Sequence, residues 1–199
     1  MAREINKVCV YCGSSDVIHA PYMEAARRMG RELAVRGMAL VYGAGGTGMM
    51  GALADACLEN GGRVIGVIPK IFNTHHLVHK GLSEIHVTEN LHTRKALMAE
   101  LGDAFVALPG GLGTFEELFE ILTWAQIGLH ANPVGVLNVN GYYDPLLALI
   151  KGAQSKGFMY VEHQSLLIAE DDPSTLLDRL HVYEPPQGLE RWVNREEMP

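Results

Sequence analysis

Cysteine is scarce in this 199-residue chain: Cys9, Cys12 and Cys57 are the full complement. A set so small and odd in number excludes a disulfide scaffold. Cys9-Val-Tyr-Cys12 does match C-x-x-C, but it falls on an apparent strand. Positions three apart there face opposite sides of the sheet and stand about 10 Å apart at roughly 3.3 Å per residue, too far to bridge. Two packed thiols are expected, not a redox or zinc pair. Long apolar runs are also missing. No segment approaches the roughly 18 residues of a membrane helix, and the opening Met-Ala-Arg-Glu-Ile-Asn-Lys lacks the apolar core of a signal peptide. A cytoplasmic location with no membrane partner is the expectation. Positive charge is in deficit, with 16 Lys and Arg against 23 Asp and Glu for a net charge of -7. That balance argues against nucleic acid as a partner, yet it leaves room for a small anion held by a few local donors. No internal repeat or low-complexity block is visible.

What is present is an alternation of short apolar runs with amphipathic segments. Residues 7–11, 38–42, 63–69, 104–108, 133–139 and 165–169 read as strands, and 85–87 is a further short apolar stretch. Residues 21–36, a segment ending at Leu58, and 89–101, 116–129, 143–156 and 173–180 read as helices. Nearly continuous apolar strands alternating with helices predict a single-domain α/β fold, a Rossmann-like parallel sheet with helices on both faces. Beyond Pro185-Pro186 the composition turns polar, so residues 1–183 are expected to form the domain and 184–199 a polar C-terminal tail. In such sheets ligands bind at the carboxyl ends of the strands. Glycine-bearing turns at Gly13, at 43–48 and at 110–113 all fall at those ends.

Two of these turns invite specific chemistry. Gly43-Ala-Gly-Gly-Thr-Gly48 satisfies G-x-G-x-x-G between a strand and a helix, the pattern of a dinucleotide site. A nicotinamide site would usually place an acidic residue at the end of the next strand, and here that strand ends in Pro69-Lys70. A tight turn that packs a helix or helps to hold a smaller nucleotide is the stronger reading. Pro109-Gly-Gly-Leu-Gly-Thr-Phe-Glu-Glu117 is more specific. It puts free backbone amides and the positive end of a helix together, a recipe for binding phosphate, and adds a carboxylate, Glu117. Thr114-x-x-Glu117 is also the spacing of a capping box. Spacing does not choose between the two, although a cap has no need of Gly110, Gly111 and Gly113.

Arg94-Lys95 on the preceding predicted helix is either a solvated basic pair or a cation delivered to the same pocket. Arg94 stands one turn before Leu97 and Met98, which places its stem at the buried edge. His75, His76 and His79 lack a nearby thiol or carboxylate, so a solvent loop or pocket rim is expected there and no metal site. A pyridoxal phosphate enzyme would need a Schiff-base lysine. Lys95 alone lies near the motif, with no evident partner for the cofactor's ring, so no cofactor is expected.

With Pro109-Gly-Gly-x-Gly-Thr-x-x-Glu117 and the upstream Leu91-His-Thr-Arg94-Lys95, the chain resembles the LONELY GUY (LOG) family. These are cytokinin riboside 5'-monophosphate phosphoribohydrolases, often mislabelled as lysine decarboxylases. The likeness extends from Cys12-Gly-Ser-Ser to Thr123-Trp-Ala-Gln126 and Leu137-Asn-Val-Asn-Gly-Tyr-Tyr143. It implies that residues 1–183 form a nucleotide-binding catalytic domain acting on a nucleoside monophosphate, with Arg94 and Glu117 matching the catalytic pair. Lys95, the run Gly111, Leu112, Gly113, Thr114, Phe115 and Glu116, and Thr123 match positions lining the nucleotide pocket. Where many relatives carry a Glu after the third strand, this chain has Thr74-His75-His76, which makes His76 a candidate contact near the base. The resemblance further implies a homodimer with pockets near the subunit contact. Similar folds include carriers of the molybdenum cofactor, which hold a phosphorylated pterin without chemistry. Such a carrier is the alternative reading.

Overall fold

Seven apolar stretches become the strands of one parallel sheet. They are β1 (Lys7–Tyr11), β2 (Ala39–Tyr42), β3 (Val64–Pro69), β4 (Glu84–Thr88), β5 (Ala104–Ala107), β6 (Val134–Leu137) and β7 (Leu167–Glu170). The structure is a computed structural model that describes residues 3–189. Strand order is β4-β3-β2-β1-β5-β6-β7, and every pairing is parallel. The connecting helices are α1 (Ala20–Val35), α2 (Gly48–Glu59), α3 (Leu91–Leu101), α4 (Leu112–Gln126), α5 (Asp144–Ser155) and α6 (Pro173–His181). No helix among the described residues is long and apolar enough to cross a membrane.

Because side chains alternate along a strand, the sheet has two separate cores. Val8, Val10, Leu40, Tyr42, Val106 and Leu108 point to the face covered by α1, α2 and α6, through residues such as Met29, Leu53 and Leu177. Cys9, Tyr11, Val41, Val67, Phe105 and Val136 point to the other face, where they meet Met98 of α3, Leu118 and Ile121 of α4, and Leu146 of α5. Both faces are buried over the central strands, which is why these are apolar without interruption, whereas the edge strand β4 carries Glu84, His86 and Thr88 and leaves Ile85 and Val87 exposed. The same alternation sends Cys9 and Cys12 to opposite cores. Burial pushes the Cys9 thiol up to about 12 and the Cys12 thiol also upward. Both stay protonated at neutral pH, which removes the thiolate that redox or metal chemistry requires.

The chain runs outward from β1 through β2 and β3 to β4, then returns to lay β5 on the other side of β1. The turns after β1 and β5 therefore diverge at a topological switch point, the usual place for a ligand crevice in such sheets. They are held together at their base, where Gly13 N donates to Pro109 O at 3.1 Å. Thr47 Oγ1 donates to Ser14 O at 2.9 Å and brings the turn after β2 to the same spot.

Several boundaries differ from expectation. The loop after β3 is exposed over residues 71–77, as expected, but its far end is tied to the turn after β2. Gly46 N donates to Leu77 O and His79 N to Ala44 O, each at 2.9 Å, and His79 Nε2 lies 2.9 Å from Asp55 Oδ1. Residues Val161–Leu166 form a 3-10 segment, so the last strand begins at Leu167, two residues later than the apolar pattern indicates. Of the expected tail at 184–199, Leu189 is buried against Ala125 and Leu166, and residues 190–199 lie outside the described residues.

Candidate active site

The N-terminus of α4 forms one wall of a cleft of about 430 Å³ at the carboxyl end of the sheet. The helix starts at Leu112 with Gly111 as N-cap, not at residue 116. Phe115 N donates to Gly111 O at 3.0 Å, which opens the helical ladder. The reason is burial. Thr114 is only 4% exposed, packed beneath Gly110, and a backbone buried there must satisfy its hydrogen bonds internally. Thr114 is thus the third residue of the helix, and of the two readings its spacing left open, the capping box with Glu117 does not form. Gly111 has no side chain to cap the first-turn amides. A Cβ at Gly111 or at Gly113 would meet nothing within 4 Å, so packing does not demand glycine at either position. Their effect is to leave the amides open toward the cleft.

Glu117 follows Gly113 by one turn, on the same side of the helix. Its Oε1 accepts from Arg94 Nη1 at 2.8 Å, and the side chains are 12% and 14% exposed. Arg94 also donates from Nε to Val67 O at 3.1 Å. It stands on the first turn of α3, oriented by a local cap. Asn90 Oδ1 accepts from Thr93 N at 3.0 Å, and Thr93 Oγ1 accepts from Asn90 N at 3.2 Å. Burial pushes the Glu117 carboxyl above the ordinary carboxylate range, and Arg94 draws it only part of the way back. The arginine does not hold Glu117 below the ordinary carboxylate range, as a bare ion-pair argument would have it. The balance leaves a carboxylate more basic than a surface one, suited to taking a proton.

The remaining walls divide by character. Ser14, Thr47 and Thr114 make a polar side, and Ile68, Pro69, Phe72, Leu77 and Leu91 an apolar one. The Pro109-Gly110 corner is braced from below by residues for which the sequence assigns no role. Tyr143 Oη donates to Leu108 O at 2.7 Å, and Tyr142 Oη donates to Gly110 O. Their signal was the Gly-Tyr-Tyr that follows β6, another turn at the carboxyl edge.

Of the expected site residues, the cleft brings together Arg94, Gly111, Gly113, Thr114 and Glu117. Lys95 turns instead to Glu116 and to Glu120, the latter at 2.9 Å. Burial would lower the Lys95 ammonium, but the two carboxylates outweigh it and hold it above its usual value. A Schiff-base lysine needs the opposite shift. Leu112 is 86% exposed and Phe119 43%. Phe115 stacks on Tyr142 with ring centroids 6.4 Å apart. Thr123 donates to Phe119 O at 2.7 Å and lines a separate hollow with Ile150 and His163. His76 lies outside the cleft lining and packs its ring edge-on to His75 at 5.7 Å. Among the described residues, no three His, Cys, Asp or Glu side chains gather as a metal site.

A family model described as "Possible lysine decarboxylase" matches residues 50–180. The "Probable cytokinin riboside 5'-monophosphate phosphoribohydrolase LOGL9" of Oryza sativa subsp. japonica is 46% identical over 179 residues, 90% of this chain and 79% of that protein. The "Cytokinin riboside 5'-monophosphate phosphoribohydrolase LOG4" of Arabidopsis thaliana is 43% identical over 182 residues, 92% of this chain and 85% of the relative. Among solved structures, the molybdenum cofactor binding protein of Rippkaea orientalis superposes with a TM-score of 0.67 at 19% identity, covering 88% of this chain and 94% of that one. The molybdenum cofactor carrier protein of Chlamydomonas reinhardtii does so with a TM-score of 0.67 at 19% identity, covering 89% and 98%. At that identity the likeness establishes the Rossmann-like fold alone. The sequence relatives go further, and on their identity across nine-tenths of its length the chain belongs to the LONELY GUY (LOG) family of cytokinin riboside 5'-monophosphate phosphoribohydrolases.

Proposed function

We propose that this protein hydrolyses the N-glycosidic bond of cytokinin riboside 5'-monophosphates, N6-modified forms of AMP, with AMP itself as the simplest substrate. The products are the free base and ribose 5-phosphate. The observation that carries the reading is the shielded Arg94–Glu117 pair, 2.8 Å apart, one helical turn from open first-turn amides. A phosphate carrier needs the amides but has no use for a basic carboxylate beside the sugar.

In this reading the amides of Gly111–Thr114 and the positive end of α4 bind the 5'-phosphate. The ribose spans the one turn from Gly113 to Glu117, and the base lies toward the apolar wall of Ile68, Phe72, Leu77 and Leu91. Anchoring the phosphate fixes the anomeric carbon beside Glu117. As the bond from that carbon to the base nitrogen breaks, positive charge develops on the ribose and negative charge on the base. Glu117 stabilises the oxocarbenium-like ring and accepts the proton of the attacking water, whose oxygen bonds to the anomeric carbon. The base leaves with the bonding pair and takes up one proton, so that one water is consumed and Glu117 returns to its ionised form on releasing its own. Arg94 holds the carboxylate in place through this change.

The same proposal includes a homodimer. Leu112, Glu116, Phe119 and Thr123 recur at helical spacing along one outward stripe of α4. Leu112 and Phe119 on that stripe are exposed apolar residues. Glu116 and Thr123, together with Lys95 which pairs with Glu116, are family pocket positions that do not line the cleft of their own chain. A second copy seated on this stripe would receive them at the mouth of its own cleft.

The test is direct. The pure protein is incubated with AMP and with isopentenyl-AMP, and free base and ribose 5-phosphate are measured. Release from either nucleotide, lost in Glu117→Gln while nucleotide binding persists, supports hydrolysis. Binding without release by the wild-type protein would favour the carrier.

A further inference from the structure

The first glycine of the 43–48 turn sits under the guanidinium of Arg94. A Cβ built on Gly43 would overlap Arg94 Nη2 and lie 3.2 Å from its Cζ. The guanidinium is the far end of a long side chain, so it could in principle move aside. Here it is tied on two sides, by Nε to Val67 O at 3.1 Å and by Nη1 to Glu117 Oε1 at 2.8 Å. Moving it to make room for a methyl group breaks one of these bonds or both. The methyl of Met50 is the other near neighbour, 2.9 Å from the built Cβ. It is the tip of a flexible chain that makes no such bonds, and it can turn away at small cost.

We infer that Gly43 is a positioning residue for Arg94: the missing side chain at the end of β2 is what lets the guanidinium cross that strand and reach Glu117. The inference rests on the reading of Arg94 and Glu117 as the reacting pair. It gives the G-x-G-x-x-G turn a role other than cradling a dinucleotide, since its first glycine makes room for a cation of the protein itself. Gly43 lines the cleft but has no side-chain group to react with a nucleotide or a water. Its effect on rate passes through Arg94 alone.

The experiment is a four-protein set: wild type, Gly43→Ala, Arg94→Ala and the double variant. Thermal melting is read on all four, and turnover of isopentenyl-AMP with its pH profile on the first two. Gly43→Ala should lower kcat on the order of a hundredfold, as expected for a displacement of about 1 Å in a reacting group, with a smaller change in KM. With the cation displaced from Glu117, the acid limb of its pH profile should move to higher pH. Gly43→Ala should lower Tm in the wild-type background and have little effect in the Arg94→Ala background, because the space it needs has been vacated. Should Gly43→Ala alone fail to fold, recovery of a cooperative melt in the double variant supports the same conclusion, and failure of both overturns it. Equal losses of Tm in the two backgrounds would mean that Gly43 serves general packing. A raised KM with kcat and the acid limb unchanged would mean that it serves ligand approach. The melting set needs no substrate, so its outcome stands apart from whether the wild-type protein hydrolyses nucleotides at all.

Discussion

Arg94 and Glu117, 23 residues apart in sequence and on different helices, meet with Nη1 2.8 Å from Oε1 at the floor of the cleft. α3 approaches from the β4 side of the sheet and α4 rises from β5 beside β1, so the pair spans the point where the chain reverses its direction of travel. A buried pair of this kind is costly to form and costlier to break, because removing one partner leaves the other charge buried and unpaired. It presents a carboxylate with one oxygen held and its helix N-terminus open to an anion.

Removing the charge at Glu117 tests the chemistry with least disturbance. Glu117→Gln keeps the size and an acceptor for Arg94 but cannot take a proton. Steady-state assays should show kcat reduced about 10²- to 10⁴-fold, the usual contribution of a positioned base, with nucleotide affinity by calorimetry near that of wild type. An unchanged kcat would remove Glu117 from the mechanism.

Burial raises the Glu117 carboxyl, and this has a consequence for pH. Hydrolysis needs the ionised form, so kcat/KM should fall on the acid side with a midpoint above the ordinary glutamate value of about 4.3. A folded-state pKa above the unfolded one means that the group's stabilisation is complete below the unfolded value and is lost as pH rises through the folded value. The Tm of Glu117→Gln, compared with wild type, should therefore become more favourable as pH rises above the ordinary glutamate value of about 4.3. A constant difference across that range would contradict the raised carboxyl.

Gly113 separates folding from binding. A methyl group there meets no protein atom, and the residue lies inside α4, where alanine is the better helix former. Gly113→Ala should leave Tm unchanged or raise it while increasing KM for the nucleotide, because the methyl obstructs approach to the amide. A fall in Tm with KM unchanged would show that the glycine serves the fold.

The tyrosine brace makes a prediction about rigidity. Tyr143 is 1% exposed, and its hydroxyl donates to Leu108 O at 2.7 Å. Tyr143→Phe should cost about 1–3 kcal/mol, the usual consequence of removing one partner of a buried hydrogen bond, measured by denaturant unfolding. Tyr142→Phe, which releases the Gly110 carbonyl, should cost less stability. Its effect should fall instead on KM, since the turn it steadies presents the phosphate amides.

Much of the fold was legible because its signals are local. β1 runs over Lys7–Tyr11 as expected, and the placement of Cys9 and Cys12 in opposite cores follows from strand geometry alone. Errors cluster where two local codes compete. The segment 161–166 is apolar enough at its end to extend a strand, yet it turns as a 3-10 helix before β7. The histidine loop is exposed at His75 and His76 and reaches the cleft rim through Phe72 and Leu77, as expected, but the backbone bonds that pin it, between Gly46 and Leu77 and between His79 and Ala44, join partners that composition does not reveal.

By itself the sequence determined the sheet, the order of its elements, the open phosphate turn and the two residues to watch, because periodicity and glycine placement act over a few neighbours. Only the tertiary structure decided where Glu117 points. A capping box is worth about 1 kcal/mol. Packing Thr114 beneath Gly110 and supplying Arg94 as a buried partner outweighs that, so the helix starts a turn earlier and the carboxylate faces the cleft, not its own cap. The role of Gly43 was equally hidden, since the side chain that needs its space lies on a helix two strands farther along the chain.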